Sequence, residues 1–296
     1  MNFRDFYQPG IPRFSFEVFP PKEGTGVPAL FEALRDLAAF DPAFISCTYG
    51  AMGSTRDVTR DLVIRIKRDL GLTAAFHFTC VGANKAEIQQ YVGYLKKEGI
   101  DLVVALRGDP PQGETQFTPP PDGFAYANEL VSFLKGIDGF SIAVAGYPEG
   151  HYESPNLATD LANLKRKVDA GADIVITQLF FDNHLYFDFV DRARKAEITI
   201  PIVPGIMPIL STKQIERIAR LGRVSIPKPL HKQLLHYQDD PAKIREIGIE
   251  HASEQCRELL SRKVPGIHFY ILNKSYSTRR VIEGIRQPRF PQRPSE

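Results

Sequence analysis

Ser141-Ile142-Ala143-Val144-Ala145-Gly146-Tyr147-Pro148, the amphipathic run Leu157–Ala170 and then Asp173–Phe180 form the stretch that decides the fold. Two short apolar runs, each ending on a hydrogen-bonding side chain (Tyr147, Gln178), flank a segment of helical period that stops at Gly171. Apolar runs of this kind suit strands covered on both faces, and a helix between two of them implies a parallel crossover. Outward from it the unit recurs. Strands are expected at Arg13–Phe19, Ala43–Tyr49, Ala74–Val81, Asp101–Gly108, Ser141–Pro148, Asp173–Phe180, Pro201–Pro208 and Gly266–Asn273. Helices are expected at Ala29–Phe40, Thr55–Leu70, Lys85–Glu98, Ala125–Ile137, Leu157–Ala170, His184–Ala196, Thr212–Leu221 and Ser275–Ile285. Eight strand–helix units predict a closed (β/α)8 barrel, with an extra helical pair in Pro229–Lys263 before the eighth strand.

The 296 residues fit one such barrel, which needs roughly 250. A single catalytic domain over 1–296 is expected, with 1–12 and 287–296 as loosely held termini. A net charge of +2 gives no bulk field for nucleic acid or a membrane surface. The N-terminus lacks the apolar core of a secretory signal, and no stretch approaches the ~18 apolar residues of a span. Three cysteines without a CxxC pair point to reduced thiols and a cytoplasmic protein.

A parallel barrel gathers its strand C-termini on one face, where the chemistry is done. Glu17 shares a strand face with Ser15, and burial there raises a carboxyl pKa and suits a general acid. The alternative is a Glu paired with a cation such as Arg107. Strand parity groups Val103, Ala105, Arg107 and Asp109, so Arg107 and Asp109 emerge together, as ligand contacts or as an ion pair capping the core. His77 pairs with Thr79 on one face, and Tyr147 and His151 flank the end of the fifth strand. No metal-ligand spacing occurs, so no metal is expected. On the helix before Gly171, Asp160, Asn163, Arg166 and Lys167 share a stripe that suits a phosphate or is simply a solvated face. Gly24-Thr25-Gly26 is no dinucleotide fingerprint, so any nucleotide needs a different site.

The ordered set Ser15-Phe16-Glu17-Val18-Phe19-Pro20-Pro21, Thr48-Tyr49-Gly50-Ala51, His77-Phe78-Thr79-Cys80, Ala105–Pro111, Tyr147–His151, Leu164–Gly171, Ile176–Phe181 and His268-Phe269-Tyr270-Ile271-Leu272-Asn273 resembles methylenetetrahydrofolate reductase, over about residues 13 to 285. The resemblance implies an FAD-dependent barrel that reduces 5,10-methylenetetrahydrofolate with NADH or NADPH by a ping-pong route through flavin N5. It implies Glu17 as the acid that protonates folate N10, and Asp109 as a catalytic carboxylate touching both flavin and pterin. For FAD it implies Tyr49, Ala51, His77, Arg107, Gly108, Asp109, Tyr126, Ala127, Tyr147, His151, Asp160, Asn163, Arg166 and Lys167. For substrate it implies Glu17, Thr48, Asp109, Gln178, Tyr270 and Lys274, and it implies a homo-oligomer. Ser211-Thr212 stands where related enzymes often carry a stacking aromatic, and Lys274 where an Arg is common. The chain stops after the barrel, so inhibition through a C-terminal adenosylmethionine-binding domain is not expected. Rival readings are a proline dehydrogenase-like flavin barrel and a folate- or nucleotide-binding barrel without catalysis.

Overall fold

The computed structural model describes residues 1–286 except 9, 22–25, 49–55, 110–116 and 138. Eight parallel strands close in sequence order: β1 (Arg13–Val18), β2 (Ile45–Cys47), β3 (Ala74–Thr79), β4 (Leu102–Leu106), β5 (Ser141–Gly146), β6 (Ile174–Leu179), β7 (Ile202–Ile206) and β8 (Gly266–Tyr270). Around them run α1 (Phe3–Phe6), α2 (Val27–Ala38), α3 (Arg56–Leu70), α4 (Lys85–Lys97), α5 (Ala127–Lys135), α6 (Leu157–Asp169), α7 (Asn183–Lys195), α8 (Thr212–Gly222), α9 (Lys228–His236), α10 (Pro241–Ser261) and α11 (Tyr276–Arg286). The chain is therefore a (β/α)8 barrel, and α9 and α10 are the helical pair expected before the last strand.

Period-two alternation divides the core into two layers. Phe16, Ile45, Phe76, Phe78, Val103, Ala105, Ile142 and Val144 pack outward with the helices. Phe44, Ala75, Leu102, Val104, Ala143, Ile174, Ile176 and Val203 fill the interior. This corrects the parity expected for the fourth strand. Val103 and Ala105 face the helices, Val104 and Leu106 face inward, and the strand ends at Leu106, so Arg107 and Asp109 are placed by the turn. Gly108 makes that turn at φ +87°, and a Cβ there would lie 2.7 Å from Val81 Cγ2.

The N-terminus also departs from expectation. Residues 3–6 are not loosely held but form α1, capped reciprocally by Asn2 and Asp5. Phe3 is fully buried and meets Phe44 edge-on with centroids 4.9 Å apart. The Phe3 amide donates to Ser141 Oγ (2.9 Å), which donates to Asp173 Oδ2 (2.9 Å). Lys135 Nζ (2.9 Å) and the Ile142 amide (2.8 Å) also donate to that carboxylate oxygen. Ser141 and Asp173 lie at the N-terminal ends of their strands, so α1 plugs the bottom of the barrel and leaves the top for a site. Residues 287–296 lie outside the described residues. Among the described residues no helix is long and apolar enough to cross a membrane.

Candidate active site

Two adjoining cavities open at the C-terminal ends of the strands. The main cavity, about 420 Å³, is lined by Glu17, Thr48, His77, Thr79, Arg107, Gly108, Asp109, Tyr147, His151, Gln178 and Tyr270, with Ile218, Leu221 and Val224 on the side of α8. The second, about 480 Å³, is lined by Tyr126, Ala127, Glu153, Asp160, Asn163, Arg166 and Lys167. They share Leu106, Arg107, Ala145, Tyr147 and His151, which makes one elongated, two-lobed site.

Glu17 stands on the floor of the main cavity. Register sets it beside Ser46 on β2 and Tyr270 on β8. Its Oε2 is 3.4 Å from His77 Nε2 and 3.5 Å from His268 Nε2. His268 Nδ1 is bonded to Ser15 Oγ (2.8 Å), and Ser15 Oγ to Tyr7 OH (3.0 Å), so the floor connects to the residue following α1. Burial pushes the Glu17 carboxyl up, but the neighbouring imidazoles of His77 and His268, with the Ser46 hydroxyl, outweigh burial and hold it below the usual range. The expectation of a carboxyl raised by burial is thereby corrected. Burial drives His77 down, which favours the neutral imidazole. Glu17 is not paired with Arg107.

Arg107 finds its carboxylate in Glu153, a loop residue that the sequence reading missed. The guanidinium holds Glu153 at both oxygens, with NH2 donating to Oε1 at 2.9 Å, while Nε donates to Gly108 O at 3.2 Å. Arg107 pulls the Glu153 carboxyl down to about 2. Asp109, exposed at the cavity mouth, is therefore free of the core-capping pair considered for it.

The helical stripe edges the second cavity, with Arg166 exposed and Lys167 half-buried. Asp160, Asn163, Arg166 and Lys167 all line the second cavity. Asp160 is buried and accepts from Ser154 Oγ (3.1 Å), and Asn163 Oδ1 accepts from Arg166 (2.8 Å). Lys167 Nζ donates to Ala145 O (2.6 Å), and its pKa is pulled by burial down to about 8. Burial and Arg107 also lower His151, whose ring packs edge-on against Tyr147. Tyr126 precedes α5 and is 61% exposed at the cavity edge.

Thr48, Gln178 and Tyr270 reach the main cavity as expected. Tyr270 OH donates to Thr177 O (2.7 Å), and Gly205 leaves room for the ring, since a Cβ there would come within 2.6 Å of it. Lys274 is exposed and lines neither cavity, which sets it apart from the other substrate-binding residues expected. Tyr49 and Ala51 lie outside the described residues. Thr212 turns away from the mouth, buried, with its hydroxyl donating to Leu234 O (3.3 Å). Among the described residues no group of three or more His, Cys, Asp and Glu is placed to hold a metal ion. His268 could have been found from its two-residue spacing to Tyr270; Glu153 carried no comparable signal.

A family model described as methylenetetrahydrofolate reductase matches residues 2–286. A 5,10-methylenetetrahydrofolate reductase of Escherichia coli (strain K12) is 40% identical over 262 residues, covering 88% of this chain and 86% of that protein. Methylenetetrahydrofolate reductase (NADH) 1 of Arabidopsis thaliana is 40% identical over 275 residues, 89% of this chain but 46% of that protein. The chain spans about half the length of the plant relatives it matches. Among solved structures, a Clostridium thermocellum protein described as binding two copies of 5-methyl-5,6,7,8-tetrahydrofolic acid superposes with a TM-score of 0.65 at 13% identity, over 96% of this chain and 98% of that one. At that identity the likeness is one of fold.

Proposed function

The chain belongs to the methylenetetrahydrofolate reductase family, and from that membership we propose that it reduces 5,10-methylenetetrahydrofolate to 5-methyltetrahydrofolate, with FAD as cofactor and NADH or NADPH as reductant. The observation that carries the reading is Glu17, a carboxyl flanked by two imidazoles on the floor of a cavity whose rim bears Asp109 and Gln178. The plant relatives are named for NADH, which favours that reductant here.

The residues present fit the dinucleotide. The two lobes suit a ring system at one end and an adenosine diphosphate at the other. Lys167 and Arg166 offer cations to the diphosphate, and Asp160 offers an acceptor to ribose hydroxyls. With its bidentate partner Glu153, Arg107 contributes little net charge and holds the junction of the lobes instead. When bound, the flavin supplies the two-electron carrier between nicotinamide and folate.

The chain's own part is acid chemistry and orientation. Glu17 delivers a proton to folate N10, the five-membered ring opens, and the resulting 5-iminium carbon accepts hydride. The free protein holds Glu17 ionised. Filling the cavity with an uncharged pterin removes water that solvates the carboxylate and favours the protonated acid, beside the imidazoles of His77 and His268. Asp109 and Gln178 hydrogen-bond the ring edges and fix the acceptor carbon. The reading also carries a cytoplasmic homo-oligomer, which sedimentation of the purified protein tests.

Purified protein is expected to be yellow and to bleach anaerobically with NADH. Glu17→Gln should keep that bleaching and lose reoxidation by methylenetetrahydrofolate; loss of both, or of neither, removes Glu17 from the acid role. Because the acid is ionised in the free protein, kcat/KM for folate should fall by about tenfold per unit as pH rises through the neutral range. A flat profile contradicts it.

A further inference from the structure

An ion pair spans the junction of the two lobes. Arg107 follows β4 and lines both cavities, while Glu153 sits in the loop between β5 and α6 and lines only the second. Both ends of the pair are held. Arg107 Nε donates to Gly108 O (3.2 Å), and the guanidinium lies over the Phe117 ring, 5.6 Å from its centroid. The Glu153 amide donates to His151 Nδ1 (3.2 Å), and the adjacent Ser154 hydroxyl donates to Asp160 Oδ1 (3.1 Å). The Glu153 carboxylate takes one N–H from each terminal nitrogen of Arg107. A guanidinium has five N–H donors, so the fork keeps donors for a ligand after Gly108 O and Glu153 are served. Arg107 thus presents oriented donors whose positive charge is already matched. Charge is divided between the lobes accordingly. Arg166 and Lys167 put cations in the second cavity. Among the described residues, Arg107 is the one cation lining the main cavity, beside the carboxylates of Glu17 and Asp109. Burial lowers both His77 and His151, which favours their neutral rings.

We infer that Glu153 is a positioning residue that fixes the Arg107 fork and cancels its charge, so that free positive charge is confined to the diphosphate end of the site and kept from the ring end. The inference deepens the function proposed above and rests on it. A reduced flavin ring that has lost its N1 proton is an anion, and a free cation beside it would hold it in that form. A reduced ring held more firmly is a weaker hydride donor. With Arg107 matched, the net charges left at the ring end are the carboxylates of Glu17 and Asp109, which repel that anion and favour release of hydride to the folate. The Glu153 side chain is 35% exposed, so water screens part of the effect. Glu153 itself stays outside the main cavity and acts through Arg107.

The midpoint potential of the flavin-loaded protein tests this, read by equilibrium titration with a reference dye and a chemical reductant, so that neither nicotinamide nor folate enters. Glu153→Gln should stabilise the reduced form by about tenfold, a rise of about 30 mV for a two-electron couple. It should also lower the pH at which the reduced ring gives up its N1 proton, seen as an earlier break in the plot of potential against pH. In stopped flow, reduction by NADH should quicken and reoxidation by methylenetetrahydrofolate should slow. Glu153→Asp keeps the charge and should stay near the parent potential. An unshifted or lowered potential in Glu153→Gln, an Asp variant that moves as far as Gln, or loss of FAD from the Gln variant overturns the inference. A flavin-loaded parent that methylenetetrahydrofolate does not reoxidise fails the proposed function instead, and the potential still tests Glu153. A parent that takes up no FAD fails both.

Discussion

The diphosphate contact proposed for Lys167 would depend on pH, because burial lowers that lysine to about 8. Burial lowers Lys167 from its ordinary range, and Asp160 offsets only part of that. An anion bound against Nζ favours the protonated amine, so the bound pKa exceeds the free one. The affinity gained this way is complete below about pH 8 and is lost as pH rises through that value. Binding of FAD to the apoprotein, followed by flavin fluorescence, should be level between pH 6 and 7 and fall toward about tenfold per unit above pH 8. Lys167→Met should bind more weakly at pH 7 and show no such fall. An unchanged pH profile in that variant would assign the dependence to another group. This residue was legible because it lay on a stripe of helical period. Glu153, which changes what Arg107 can offer, was not, because a carboxylate in an irregular loop has no period to mark it.

At the level of elements, α1 shows what a short segment can add. Four residues give no periodicity, and an isolated helix of that length does not persist in water. Its order comes instead from Phe3 in the barrel interior and from the Ser141–Asp173 bonds beneath it. Truncating a buried phenylalanine costs about 3–5 kcal/mol, so Phe3→Ala should unfold at clearly lower denaturant while still binding FAD at the opposite end. A Phe3→Ala midpoint equal to that of the parent would mean that the plug contributes nothing. The strands themselves were legible because parallel strands covered on both faces read as apolar runs. The same property hid their parity. In Leu102–Leu106 every residue is apolar, so the sequence could not say whether Val103 or Val104 faces the interior, and closure of the barrel decided it.

Over the whole molecule, the site joins distant parts of the chain into one cooperative unit. Glu17, His77 and His268 come from β1, β3 and β8, and the two lobes meet on side chains of β4 and β5 and the loops that follow them. A ligand that bridges the lobes therefore binds only the closed barrel and must stabilise all of it by mass action, about 2.7 kcal/mol at a hundredfold excess over Kd. For a domain of this size that corresponds to a rise in Tm of roughly 4–5 °C. FAD should give such a rise in a single transition, and 5-methyltetrahydrofolate a further one. The lobes should separate: Lys167→Met should shrink the FAD increment, whereas at saturating FAD the folate increment should be spared. An FAD increment that survives Lys167→Met in full would place the dinucleotide away from the α6 stripe.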